Sequence, residues 1–237
     1  MRNFMALVVM LILIIGIIVP IVKASGKPAV EKRLLEKVRK DKKATQAIIV
    51  TAKSETGFHA SLVAYEYRSG KWEKVYSMPA VIGKKGITFD MHEGGMKSPA
   101  GIYFIDRSFG TAAKPSGMKL PYQQTTEHDY WVDDVTSKDY NQWKVYKGDP
   151  HKKWKSFERL HIPLYKYAAV IRYNEDPIVK GKGSAIFFHI WPGPNSPTAG
   201  CTAVSEENIV KLLKWMDPEK KPVIIQGTAD QLTTLSK

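Results

Sequence analysis

Hydrophobic and polar positions follow several different rhythms along the chain. Residues 4–22 form an uncharged run of 19 positions that includes Pro20. The run has no polar face to turn toward water, so it is no part of a globular core. In residues 26–44, Val30, Leu34, Leu35 and Val38 recur near helical spacing among eight Lys or Arg and three acidic residues. That pattern predicts a short basic amphipathic helix, expected as a solvated linker between the apolar run and the folded domain. Beyond it the period shortens to that of strands. Residues 47–51 are β-branched, and 61–67 and 72–76 flank a Gly-containing turn at 68–71 as a hairpin would. Residues 80–83 and 101–105 read as further short strands.

Residues 107–166 hold no period; seven prolines and glycines and many aromatics interrupt them. So long a stretch is more than a plain loop and reads as an insertion. Tyr122, Tyr130, Trp131, Tyr140 and Trp143 are placed there either to line a cleft or to pack the insertion onto the sheet. Order returns with strands over 167–173 and 184–190. Ser205 then caps a helix whose Ile209, Leu212, Leu213 and Met216 share one face, and 222–225 is a closing strand. Strands alternate with turns and not with helices, so the fold class is mainly β with short helices and a mostly antiparallel sheet. The expected division is 1–24, a leader; 25–45, the basic helical linker; and 46–237, the folded domain.

Composition adds a location and a class of partner. With 43% hydrophobic and 25% charged residues the chain is an ordinary globular protein. Arg2 precedes the apolar run, and Val22 and Ala24 are small residues at the −3 and −1 positions of a cleavage site. Residues 1–24 are therefore expected to be a signal peptide or a membrane anchor, with membrane attachment through them if they are not removed. The remainder is expected outside the cytoplasm: in the cell wall, in a periplasm or on the outer face of the cytoplasmic membrane. The formal net charge is +13, and only two of the 36 basic residues lie in residues 1–24. Such an excess favours an anionic cell envelope as partner. No Gly-rich phosphate loop or aromatic-spaced basic motif supports a nucleic-acid partner.

The candidate chemistry sits late in the chain. An apolar strand ends in His189, a Pro, Gly, Asn and Ser loop comes next, and Cys201, the single cysteine, stands directly after Gly200. A lone cysteine makes no internal disulfide, and an unpaired exported thiol is exposed to oxidation, so Cys201 is either a small buried hydrophobe or a residue with chemistry to do. A thiol with its ordinary pKa near ~8.5 is mostly unionised at neutral pH, and a neighbouring imidazole that takes its proton makes it a nucleophile through a thiolate–imidazolium pair. His189 is the candidate base and Cys201 the candidate nucleophile; backbone N–H groups near Gly200 and Cys201 are candidate oxyanion donors. No metal or other cofactor is expected, because there is no second cysteine and no other histidine at ligand spacing.

These residues and several others together resemble a family. His189 followed by Pro197, Thr198, Ala199, Gly200 and Cys201 is similar to the active-site motif of L,D-transpeptidase (YkuD-type) catalytic domains. Residues 97–104, 131–134, 139–141, 158–160, 173–177 and 183–189 match in the same order, so that the resemblance spans about residues 46–227. It implies a β-sandwich or sheet domain with a long insertion. It also implies a Cys201 nucleophile, a His189 base and an oxyanion contribution from Gly200, acting on peptidoglycan stem peptides. Tyr140, Asn141, Arg172 and Asn174 are candidates for substrate contacts. Ala199 stands where most relatives carry a second histidine, and Ala203 where they often carry Arg or Asn. The loop from His189 to Cys201 is also shorter than in most. The expected activity is a transpeptidase that cross-links stems, the alternatives being an L,D-carboxypeptidase or a non-catalytic wall-binding protein.

Overall fold

The computed structural model describes residues 26–237. The expected leader, residues 1–24, lies outside the described residues. Among the described residues no helix is long and apolar enough to cross a membrane.

Helix α1 (Lys27–Lys42) opens the structure. Its Val30, Leu34, Leu35 and Val38 are buried against Ala47, Ile49, Val223, Ile225 and Leu232. The expected solvated linker is therefore corrected: the helix is docked on the sheet, because its apolar stripe meets an apolar sheet face and only its basic face is left to water.

Strand β1 (Gln46–Ala52) is buried along almost its whole length. Ile48 and Val50 enter the main core while Ala47 and Ile49 face α1, so both faces are covered and a continuous apolar run results. β2 (His59–Arg68) and β3 (Lys71–Val81) form the anticipated hairpin, turning through Ser69 and Gly70, both at positive φ. Short strands come next: β4 (Ile87–Thr88), β5 (Ser98–Pro99), β6 (Gly101–Phe104), β7 (Ser108–Gly110), β8 (Tyr122–Gln124), β9 (Asp129–Val132), β10 (Gln142–Val145) and β11 (Glu158–Arg159). Then come β12 (Ala168–Val170), β13 (Phe187–Ile190), β14 (Thr202–Val204), α2 (Glu206–Trp215), β15 (Val223–Gly227) and α3 (Ala229–Leu235). The Ser205 hydroxyl caps α2 by accepting from the Asn208 amide, as its position before an apolar stripe predicts.

The principal sheet has ten strands in the order β6-β15-β1-β2-β3-β14-β13-β12-β7-β8. It curls enough for Gln226 of β15 to accept from the Thr202 hydroxyl of β14 at 2.8 Å, although three strands lie between them. The mainly β expectation is met, but the sheet is mixed: β1–β15, β7–β8 and β13–β14 are parallel pairs. The β13–β14 pair decides the site. Phe188 lies opposite Thr202, His189 opposite Ala203 and Ile190 opposite Val204. Alternation then sends Phe188, Ile190 and Val204 into the main core under α2, and turns Phe187, His189 and Ala203 to the other face.

Residues 107–166 cover that other face. β9, β10 and β11 make a small sheet of their own, and Trp131, Leu160 and Tyr165 pack with Phe109, Phe187 and Cys201. The aromatics of this stretch are packing residues. Tyr130, Trp131 and Tyr140 are buried, Trp131 meets Phe187 edge to face, and Trp143 and Tyr122 each spend their polar atom on a hydrogen bond inside the stretch.

Candidate active site

Cys201 and His189 are brought onto one face of two adjacent parallel strands. Cys201 directly precedes β14 and lies level with Phe187, two positions before His189 on β13. The thiol leans on the start of β13: Sγ accepts from the Phe187 amide at 3.3 Å and donates to the Ala185 carbonyl at 3.4 Å. Ala185 has φ +53, which turns its carbonyl out of the strand pattern toward the sulfur. The thiol proton thus rests on a backbone oxygen and not on the imidazole.

His189 is oriented by its own strand. Its Nδ1 lies 2.7 Å from the Ile190 carbonyl, which assigns the ring proton to Nδ1 and leaves Nε2 as an acceptor. The Tyr165 ring packs edge-on against the imidazole at 5.2 Å between centroids. Both candidate residues are almost closed off, His189 at 5% and Cys201 at 6% exposure. Burial pushes the imidazole down to about 4 against the stabilising pull of the Ile190 carbonyl. Burial pushes the thiol far above its ordinary value, and Glu158 adds to the rise. The resting pair is accordingly a neutral thiol and a neutral imidazole. Burial thus works against the preformed thiolate–imidazolium pair expected from the residue types, because neither charge is solvated here.

Glu158 is itself perturbed, up to about 7, first by burial and then by the neighbouring carboxylates Asp133 and Glu93, against the Tyr165 hydroxyl that donates to it at 2.7 Å. Tyr165 links this carboxyl to the site, touching both His189 and Cys201. Nothing in the residue pattern singles out either Glu158 or Tyr165 as part of the site, although residues 158–160 belong to one of the ordered motifs.

Gly200 lies where a side chain would not fit; a Cβ would stand 3.0 Å from the Lys97 carbonyl and 3.3 Å from Ile186 Cδ1. Its N–H donates to the Thr198 hydroxyl at 3.2 Å. The Cys201 amide has no acceptor among the described residues.

The other four candidates divide into two pairs. Asn141 reaches the site from the insertion: its Oδ1 accepts from the Ala185 amide at 3.2 Å and from Trp131 Nε1 at 2.8 Å. Its Nδ2 donates to the carbonyls of Tyr173 and Asn174. Tyr140 donates to Glu93 at 2.5 Å and accepts from the Gly183 amide, one turn of chain before Ala185. Arg172 is engaged by Asp106, Glu175 and Asp176. Asn174 folds the 174–183 turn through Val179 and Gly183. None of their hydrogen bonds is to Cys201 or His189.

A groove of about 480 Å³ runs over β2 and β3, lined by Lys53, His59, Ser61, Ser77, Pro79 and Trp191 and not by Cys201 or His189. Pairing of Val81 with Ala203 and of Ser61 with Pro79 sets Ser61, Ser77 and Pro79 on the face that carries His189.

Residues 33–225 match the family described as the L,D-transpeptidase catalytic domain, YkuD. The chain belongs to the L,D-transpeptidase family. Enzymes of this family act on peptidoglycan in the cell wall. Among solved structures the chain is similar to that of Bdellovibrio bacteriovorus Bd1075, at 15% identity and a TM-score of 0.42, over 81% of this chain and 53% of that one. The chain thus spans about half the length of that protein. No curated protein matches it.

Proposed function

We propose that the protein is a cysteine acyltransferase acting on peptidoglycan tetrapeptide stems. The observation that carries this reading is the placement of Cys201 and His189 on one face of adjacent strands, with the imidazole held by Ile190 so that Nε2 accepts. Because thiol and imidazole both rest neutral, proton transfer from Sγ to Nε2 accompanies attack and does not precede it. The Sγ–C bond forms at the carbonyl before the terminal D-residue, and the oxyanion takes the free Cys201 amide. His189 then returns the proton to the leaving amine as the C–N bond breaks, leaving a thioester. An amine from a neighbouring stem repeats these steps in reverse and yields a cross-link; water in its place yields an L,D-carboxypeptidase product.

Substrate reaches this face along the groove bordered by Trp191, and the thiol leaves Ala185 for His189 as the stem seats. Asn141 serves the reaction by holding Ala185, and Tyr140 by holding the segment just before it. Arg172 and Asn174 shape the 172–183 turn. In this reading the basic domain works outside the cytoplasm against an anionic wall, with residues 1–24 as signal peptide or anchor.

Mass spectrometry after incubation with tetrapeptide stems or a carbapenem tests the mechanism. The wild-type protein gains a thioester adduct and Cys201→Ala gains none; an undiminished adduct on that variant overturns the assignment. The released products then separate cross-linking from carboxypeptidase outcome.

A further inference from the structure

Ser98, at the start of the two-residue strand β5, is completely buried and lies beneath the nucleophile loop. Its hydroxyl donates to the Gly200 carbonyl at 2.6 Å and, more weakly, to the Cys201 carbonyl at 3.2 Å. The same oxygen accepts from the Gly83 amide at 2.9 Å, so both the donor and an acceptor position of the hydroxyl are used. From the other side the Thr198 hydroxyl donates to the Cys201 carbonyl at 2.6 Å. The Lys97–Ser98 backbone gets this close because two neighbours lack side chains. A Cβ on Gly83 would stand 2.7 Å from the Met96 carbonyl, and one on Gly200 3.0 Å from the Lys97 carbonyl.

Two successive carbonyls turned to one hydroxyl depart from the alternation of an extended strand. In a planar trans peptide the N–H points opposite its C=O. Tying down the Gly200 carbonyl therefore aims the Cys201 N–H away from Ser98, and tying down the Cys201 carbonyl does the same for Thr202. On that far side Thr202 pairs with Phe188 of β13, the strand that carries His189. The Cys201 amide, which donates to no other group among the described residues, is thus turned toward the strand that carries His189. The Cα that carries the thiol is fixed between the two clamped peptides.

We propose that Ser98 and Thr198 are positioning residues, a pair of hydroxyls that sets the direction of the Cys201 amide and thiol for reaction. This rests on the acyl-transfer reading given above. Neither hydroxyl touches the reacting atoms, and each acts through the carbonyls it holds.

The test measures carbapenem acylation of the full chain by stopped-flow over a concentration series. It separates the dissociation constant from the acylation rate at saturation, at temperatures well below each variant's melting point. Ser98→Ala and Thr198→Val are expected to lower the saturating rate about 100-fold or less with the dissociation constant unchanged. Ser98→Thr and Thr198→Ser, which keep the hydroxyls, are expected to restore most of it. Thr198 is only partly buried, so Thr198→Val decides the matter if Ser98→Ala does not fold. Wild-type rates in folded Thr198→Val or Ser98→Ala overturn the clamp and leave the acyl-transfer reading standing. A wild-type protein that forms no adduct overturns the reading itself.

Discussion

His189 Nδ1 sits 2.7 Å from the carbonyl oxygen of the next residue, Ile190. The strand that carries His189 also selects its tautomer, so no third side chain is needed to present Nε2. Ala199, two positions before Cys201, supplies no imidazole. What orients the base is backbone, which no substitution at a neighbouring position removes.

Burial of that imidazole has a measurable pH signature. Its folded pKa is lowered from 6.5 to about 4, so between these values the unfolded chain binds more protons than the folded one. Stability is therefore fully present above about pH 6.5 and is lost as pH falls through 4, on the order of 3 kcal/mol over the window. Urea unfolding of wild type and His189→Gln at pH 4.5 and 7 checks this: the wild type loses stability on acidification by a margin that the variant lacks. The same variant is expected to acylate about 100-fold or more slowly at pH 7.

Glu158 has the opposite sign. Its folded pKa is raised from 4.5 to about 7, so its neutral form fits the fold and its charged form does not. Its contribution is intact below about pH 4.5 and lost as pH rises through 7. Glu158→Gln keeps an acceptor for Tyr165 and carries no charge. It should melt with wild type at pH 5 and above it at pH 8. A carboxylate formed near the sulfur also opposes thiolate formation, so the variant should lose less acylation rate than wild type between pH 6 and 8. Thermal melts and acylation rates on the two proteins read both effects.

Asn141 is 3% exposed, has φ +55, and bonds Trp131, Ala185, Tyr173 and Asn174 at once. Asn141→Ala strands several buried groups and forces a left-handed backbone on a residue that disfavours it, at a cost of about 2–4 kcal/mol. Because Ala185 is one of the partners, the thiol also loses its fixed acceptor. Chemical denaturation is expected to show the loss of stability. Carbapenem acylation at 10 °C, where the variant stays folded, is expected to show a slower saturating rate as well.

The elements legible from the residues are those with a local cause. The β2–β3 hairpin arises from a Gly-containing turn between strand-like runs, and α2 from Ser205 ahead of an apolar stripe. His189 at a strand end is likewise visible. The features that escape such reading depend on distant partners. The stripe on α1 shows that the helix must cover something apolar, but the β1–β15 face that it covers is assembled from residues some 180 positions apart. The burial of Cys201 comes from Trp131 and Tyr165, inside a stretch with no period to read. Ser98 lies within one of the ordered motifs, yet a serine hydroxyl leaves no pattern that reveals its acceptors.

The parallel course of β13 and β14 separates two distances that residue numbering confounds. The gap between His189 and Cys201 in space is set by the ladder, Phe188 against Thr202 and His189 against Ala203. The gap along the chain is the length of residues 190–200, a return that leaves the ladder after Trp191 bonds Val204 and comes back beside Gly83 at Thr198. Residues can be gained or lost between 192 and 196 without shifting either candidate residue by a register step, because Thr198 stays paired beside Gly83. Trp191 begins that return and borders the groove. Divergence in residues 192–196 can therefore reshape the border of this groove while the Thr198 and Ser98 hydroxyls keep their hold on the Cys201 carbonyl.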